Sequence, residues 1–348
     1  MNKNYFLGSY ILTIIGVIFA YLWGERTAPG TGFNAVFIVL TLGILEVSLS
    51  FDNAVVNAMR LENMSQIWRK RFLTWGIAIA VFGVRFLFPI LVVAIFAKIG
   101  AGEVLRIALH DAPKYAEYLE KTHAPIVTFG GSFLMLLFLH YFINKKKEIH
   151  WIKPIEKLMQ KSDKIPFGEV IVTSLCVLAV HFITAPHYGN SILYAGFAGI
   201  IIYELIELMT STLEKKGCEQ IANSAKDGVK CTGLLGFIYL ELIDASFSLD
   251  GVLGAFALSK DILIITTGVA IGAMFVRSLT IYLLEKKTLA KFLYLEHGAH
   301  WAIGALATMM FISAKTEIPE VITGTVGLFF IGTSLISSLI HNKKVKNQ

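Results

Sequence analysis

The sequence predicts an all-α fold, a polytopic membrane protein of about ten transmembrane helices, and three observations predict it. Apolar runs of 17–27 residues recur from end to end, each long enough to cross a bilayer core that takes roughly 20 helical residues. Of the 348 residues, 55% are hydrophobic and only 16% charged, too apolar for a chain that must keep its non-polar surface out of water. The lysines and arginines crowd into the short connections between those runs.

The predicted spans are 5–23, 33–59, 72–97, 125–143, 167–184, 190–212, 232–258, 261–284, 297–313 and 320–340. The first run, Tyr5–Trp23, is long for the apolar core of a signal peptide, and Tyr-Leu-Trp-Gly-Glu-Arg lacks a small-x-small cleavage pattern, so it reads as a retained helix. Taken alternately, one set of connections carries 22 basic residues and the other seven, with Arg85 and Arg277 inside helices. The positive-inside rule then puts both termini in the cytoplasm of a multi-pass protein of the cell (inner or plasma) membrane. Because the net charge of +6 lies on these connections, it does not imply a nucleic-acid partner. The balanced charges of 98–124 suggest an amphipathic surface segment outside the cell. The lysines of 144–165 suggest a solvated face against anionic lipid headgroups. The short Ala-Pro-His-Tyr-Gly-Asn turn at 185–190 divides the fifth helix from the sixth. Three cysteines, none in a CxxC pair, indicate neither a disulfide framework nor a zinc site.

The chain repeats itself. Glu46-Val-Ser-Leu-Ser-Phe-Asp52-Asn53 in helix 2 matches Asp244-Ala-Ser-Phe-Ser-Leu-Asp250-Gly251 in helix 7, with acid, serine, serine and aspartate at the same offsets. The following helices match too, with one spacing from Gly76 to Arg85 and from Gly268 to Arg277. The copies start five helices apart, an odd number, so they predict an inverted three-helix repeat: helices 2–4 within 33–143 and helices 7–9 within 232–313, separated by 144–231. Repeats of this kind build secondary transporters, with the substrate held near the midplane where the copies meet.

Acids within the membrane are costly, roughly 2.5–3.5 kcal/mol each on insertion scales, and mark function. Glu46 and Asp244 fall near the middle of their helices, with Asp52 and Asp250 six residues beyond, about 9 Å at helical rise. Glu46, Ser50 and Asn53 share a helical face, while Ser48 and Asp52 lie on another. For Glu46 and Asp52 to serve one ion, the Ser-Leu-Ser-Phe stretch must bend or unwind, a break that serine can promote. Otherwise the two acids are successive stations. With Ser246 and Ser248 in the second copy, the donors are all oxygens, which suits Mg²⁺, Ca²⁺ or Mn²⁺ over softer metals. Arg85 and Arg277 are expected as counter-charges, and Glu241, one turn before Asp244, either joins the site or faces a cavity. Glu204 and Glu207 share a face near the cytoplasmic end of helix 6, serving either proton entry or interfacial snorkelling. His140, His181, His297 and His300 near helix ends read as interfacial hydrogen-bond formers, and Gly130-Gly131 as a close helix contact.

These motifs resemble those of the TerC-like integral membrane proteins, a family associated with tellurium resistance and grouped with the lysine-exporter superfamily. The resemblance rests on Glu46-x-x-x-Ser-Phe-Asp52-Asn53 and Asp244-x-Ser-Phe-Ser-Leu-Asp250, each followed by an arginine-bearing helix, and it is closest to a longer branch without assigned activity. It departs from the common pattern at Gly251 and in its number of helices. The resemblance implies metal contact at Glu46, Asp52, Asn53, Asp244 and Asp250, and Mn²⁺ as the exported ion.

The expectation is therefore a secondary transporter, an exporter of a hard divalent cation, Mn²⁺ or else Ca²⁺, with protons or Na⁺ as coupling ions, membrane lipid around it and no permanently bound cofactor. A homo-oligomer is compatible with the sequence. The alternative is a membrane scaffold or assembly factor linked to metal or tellurite stress, its acids structural. An embedded metalloenzyme would call for histidine ligands or an HExxH helix, which the motifs lack, so no enzyme is expected.

Overall fold

The computed structural model describes residues 5–62, 64–143, 149–161, 165–222, 234, 236–238, 240–242, 259, 261–286, 292–316, 318 and 320–346; every regular element among them is a helix. Among the described residues, five helices are long and apolar enough to cross a membrane: Leu7–Thr27, Pro113–Ile143, Ser191–Met209, Ile262–Glu285 and Thr325–Lys344. Gly32–Val47 and Gly168–Thr184 are shorter apolar helices. Their outward faces carry Phe33, Phe37, Phe182, Tyr194, Ile201 and many other exposed large hydrophobics, a surface suited to lipid rather than water.

Helix α1 (Leu7–Thr27) presents a stripe of small buried residues, Ser9, Gly16, Ala20 and Gly24, which lets its neighbours come close. The second predicted span is two helices, α2 (Gly32–Leu49) and α3 (Phe51–Glu62), interrupted at Ser50. The third is also broken. Helix α4 (Gln66–Ala78) widens into a π-helix over Ile79–Leu87 and resumes as α5 (Phe88–Ala97). Pro89, in the first turn of α5, has no N–H to give the carbonyl four residues back, and its ring would crowd that carbonyl. A wider turn just before it relieves both.

The segment 98–124 is more regular than an extracytoplasmic surface loop. It holds α6 (Ala101–His110), and α7 (Ala112–Ile143) begins well before the expected start at 125, carrying Pro125 inside it. Val104, Ile107 and Ala108 of α6 pack on Tyr115 and Leu119 of α7 and on Ile90 and Val93 of α5. Helix α8 (Lys153–Lys161) follows, then α9 (Gly168–Tyr188) and α10 (Ser191–Ala222), divided at Gly189, whose φ of +53° suits glycine. The last three described helices are α11 (Ile262–Glu285), α12 (Leu295–Ser313) and α13 (Glu320–Lys346). Asp261 caps α11, accepting from the Leu263 N–H at 2.9 Å, and its other oxygen takes the Trp23 indole N–H at 2.7 Å. One cap thus ties α1 to α11.

Two packed regions result. In the larger, α7 is surrounded by α9, α10 and α12, and Phe133, Leu134, Leu136, Leu137 and Phe142 are all but fully buried. Gly131 brings α7 against the Ala307 carbonyl of α12. In the other, α2 and α3 lie against α11, flanked by α1.

Candidate functional site

The α2–α11 crossing is built on glycine. Gly268 and Gly272, four apart on α11, face Leu42, Gly43 and Glu46 of α2; a Cβ at Gly272 would collide with the Glu46 side chain and the Gly43 carbonyl. Small residues at this spacing let two helices approach without apolar driving force between them. The close approach leaves Glu46 only 2% exposed. Its Oε1 accepts from the Ser50 hydroxyl at 2.9 Å, a bond that one turn of helix places within reach.

Ser50 is where the helix is interrupted, with φ −100° and ψ 18°. This irregularity falls inside Ser-Leu-Ser-Phe, where a bend or unwinding is the condition for Glu46 and Asp52 to share an ion. Yet the Ser50 N–H still bonds the Glu46 carbonyl at 2.9 Å and the Ala54 N–H the Ser50 carbonyl at 3.1 Å. Beyond it the buried polar face continues on α3 through Asn53 and then Asn57, whose Nδ2 donates to Asn53 Oδ1 at 2.9 Å. Glu46, Ser50, Asn53 and Asn57 thus form a buried polar stripe running from α2 into α3. Asn57 is legible in principle, since it stands four residues beyond Asn53.

A second buried polar group meets the same seam. Arg277 of α11 is 6% exposed and donates through Nη1 to the Phe72 carbonyl and through Nη2 to the Gly76 carbonyl, each at 2.6 Å. Its Nη2 lies 3.4 Å from Glu241 Oε1, and its guanidinium sits 4.0 Å from the Phe72 ring centroid. A Cβ at Gly76 would meet Arg277 Nη1 and Glu241 Oε1 at 2.5 Å each, so glycine is what admits both charged groups. The carbonyls that Arg277 takes lie just before the change from α to π geometry, where the helical hydrogen-bond ladder shifts. The described acidic partner of Arg277 is Glu241, rather than any of the four motif acids it is expected to balance.

The other sequence-predicted residues are less fully defined. Asp244, Ser246, Ser248 and Asp250 lie outside the described residues. Ser48 and Asp52 stand on α2 and α3, and Arg85 on the π-helix, with their side chains outside the described set. Among the described residues, no three His, Cys, Asp or Glu side chains gather in a way that could hold a metal ion.

Two polar clusters lie away from the seam. His140 of α7 stands between Glu169 Oε1 at 3.9 Å and Glu207 Oε1 at 3.7 Å, linking α7, α9 and α10. The other is hidden in the lysine-rich connection, where Glu156 of α8 is 1% exposed. Glu156 accepts from the Trp151 and Ile152 N–H groups and from the Trp301 indole, all at 3.1 Å, and lies 3.6 Å from His297 Nε2. His297 donates to the Ile149 carbonyl at 2.8 Å, while His300 stacks on Tyr141 with ring centroids 3.5 Å apart. These two histidines are buried inside the protein rather than at an interface with headgroups. Part of the lysine-rich segment is thus fastened down rather than a freely solvated face.

Fold and site together define an all-helical protein with several helices long and apolar enough to span a membrane, carrying a buried polar seam where two of its segments cross. The chain belongs to the family described as "Protein of unknown function (DUF475)", whose model matches residues 51–345. The match starts at Phe51, so it takes in Asp52, Asn53, Glu241 and Arg277 but not Glu46. No curated protein and no solved structure matches the chain.

Proposed function

We propose that this protein is a secondary transporter, an exporter, of a hard divalent cation, with the seam of Glu46, Ser50, Asn53, Asp52 and their counterparts Asp244 and Asp250 as the ion's path. The observation that carries it is the buried oxygen-rich stripe at the helix interruption, held at a glycine crossing. Such a stripe is expensive in hydrocarbon and suits a cation with oxygen ligands. Mn²⁺ is the ion implied by the resemblance to TerC-like motifs, with protons or Na⁺ as the coupling ion.

The packing supports an inverted repeat within a ten-span protein. Glu46, from the acidic helix of the first copy, rests on Gly272 of the glycine–arginine helix of the second. Glu241, just before the acidic motif of the second copy, rests on Gly76 of the glycine–arginine helix of the first. In the repeat alignment Glu241 corresponds to Gly43 and Gly76 to Gly268, and Gly43 lies against the Gly268 carbonyl; that pair of equivalent contacts is what a twofold axis in the membrane plane would generate. Arg277, bound to two carbonyls and beside Glu241, supplies positive charge that keeps the seam stable between ions.

Reconstitution tests the proposal. Proteoliposomes of the full chain should move Mn²⁺ in preference to Zn²⁺, with rates that respond to an imposed pH or Na⁺ gradient, and Ca²⁺ and Mg²⁺ run alongside to define selectivity. Absence of flux for all four metals would favour a scaffold. The membrane orientation has its own check: introduced cysteines in 98–124 and 185–190 should react with an impermeant reagent from outside, and those in 144–165 and 214–231 should not.

A further inference from the structure

The polar stripe does not end at the residues the motif supplies. Asn57 is 3% exposed, and its Nδ2 donates to Asn53 Oδ1. That bond occupies the Asn53 oxygen with an amide donor and orients the Asn57 carboxamide so that its own oxygen is turned elsewhere. Asn57 Oδ1 is buried and accepts no hydrogen bond from any described residue. A buried carbonyl oxygen without a donor keeps its desolvation cost, which native structures rarely leave uncompensated. The same oxygen is a hard neutral ligand of the kind Ca²⁺ and Mn²⁺ accept from asparagine.

Asn57 stands 11 residues beyond Glu46, about 16 Å along a helix. An ion with ligands about 2.0–2.6 Å away cannot touch both. One turn further, Leu61 closes into an apolar cluster with Met64, Phe72, Phe237 and Leu240. Asn57 is therefore the last buried polar side chain of the stripe before an apolar barrier, where a weak neutral ligand fits an ion that must be passed on. We infer that Asn57 Oδ1 is a second cation station in the seam, separate from the carboxylate site and bordering the apolar closure. The station rests on the seam being a cation path, as proposed above.

The test uses the full chain in proteoliposomes with Mn²⁺ alone. Asn57→Ala and the size-matched Asn57→Leu should each raise the Mn²⁺ concentration for half-maximal flux about tenfold, the loss expected for one buried polar contact. Asn57→Asp, which keeps an oxygen in place, should return it to the wild-type value or below. Thermal unfolding without metal identifies a variant that is merely destabilised, and the Leu variant covers the case in which Ala fails to fold. Wild-type half-saturation in both oxygen-free variants would overturn the station alone, as would Asp behaving like Ala. Absence of Mn²⁺ flux in the wild-type protein would overturn the transport proposal beneath it.

Discussion

The helix at the centre of the larger packed region and the pair of helices at the seam solve the same problem in opposite ways. Over the most apolar 18 residues of α7, 83% are buried, the packed side chains are mostly Phe and Leu, and Thr128 and Ser132 bond carbonyls one turn back, with His140 reaching Glu169 and Glu207 near the helix's end. At the seam, α2, α3 and α11 bury Glu46, Asn53, Asn57 and Arg277, with Glu46 against Gly272 and Arg277 against Gly76 and two backbone carbonyls. Only the first arrangement is good for stability alone. Apolar packing gains dispersion at the cost of side-chain entropy alone, whereas buried charges and amides also cost desolvation that their partners only partly return. The chain thus keeps the middle of its central helix apolar and buries costly groups in the seam and in the Glu156–His297 cluster, and the proposed function falls on the seam.

The largest expected effect is on flux. Glu46→Gln, Asp52→Asn and Asp250→Asn should each reduce metal transport to background while the protein still inserts and purifies. Truncating Phe133, buried in α7 against Tyr203, should do the reverse. Phe133→Ala should cost about 3–5 kcal/mol of stability and leave the half-saturating metal concentration of the surviving protein unchanged. Equal loss of stability in both sets, with flux retained in the acid variants, would erase the distinction between seam and scaffold.

Arg277 sharpens the contrast, because it belongs to both. Arg277→Lys keeps the charge but cannot hold the Phe72 and Gly76 carbonyls together as the guanidinium fork does. A loss of roughly 2–3 kcal/mol is expected from two charge-assisted bonds weakened, read from unfolding in mixed micelles. Gly272→Ala pushes a methyl against Glu46 and should cost about 1–3 kcal/mol through overpacking. Gly332→Ala on α13, with open space around it, is the matched control and should be close to neutral.

Much of the seam is legible in the sequence. Spacing alone puts Glu46, Ser50 and Asn53 on one face, and the serines mark where the helix is interrupted. Asn57 escapes because it lies outside the repeated motif. The π-helix escapes because only Pro89 and the glycines before it signal it, and proline more often ends a helix than widens one. In 98–124 the evenly spread charges mask Val104, Ile107, Tyr115 and Leu119, which recur at helical intervals and are buried. Glu156 is hidden by its company. One acid among lysines reads as part of a solvated face, and only the fold brings Trp301 and His297, some 140 residues later, to its side.

Glu156 also offers the mildest test of where the scaffold ends. It is a buried carboxylate away from the seam, so burial of an acid by itself would count it as functional. Its bonds say otherwise. Both oxygens are taken by donors from its own segment and from α12, and those donors fasten the start of α8 to the helix bundle. Glu156→Gln keeps the shape and one acceptor but offers the three N–H groups less negative charge, so about 1–2 kcal/mol of local stability should go. Cysteine probes in 149–161 should then react faster with a water-soluble thiol reagent, while Mn²⁺ flux stays within about twofold of wild type, a change under 0.5 kcal/mol. A collapse of flux with no change in probe reactivity would move Glu156 out of the scaffold and into the ion path.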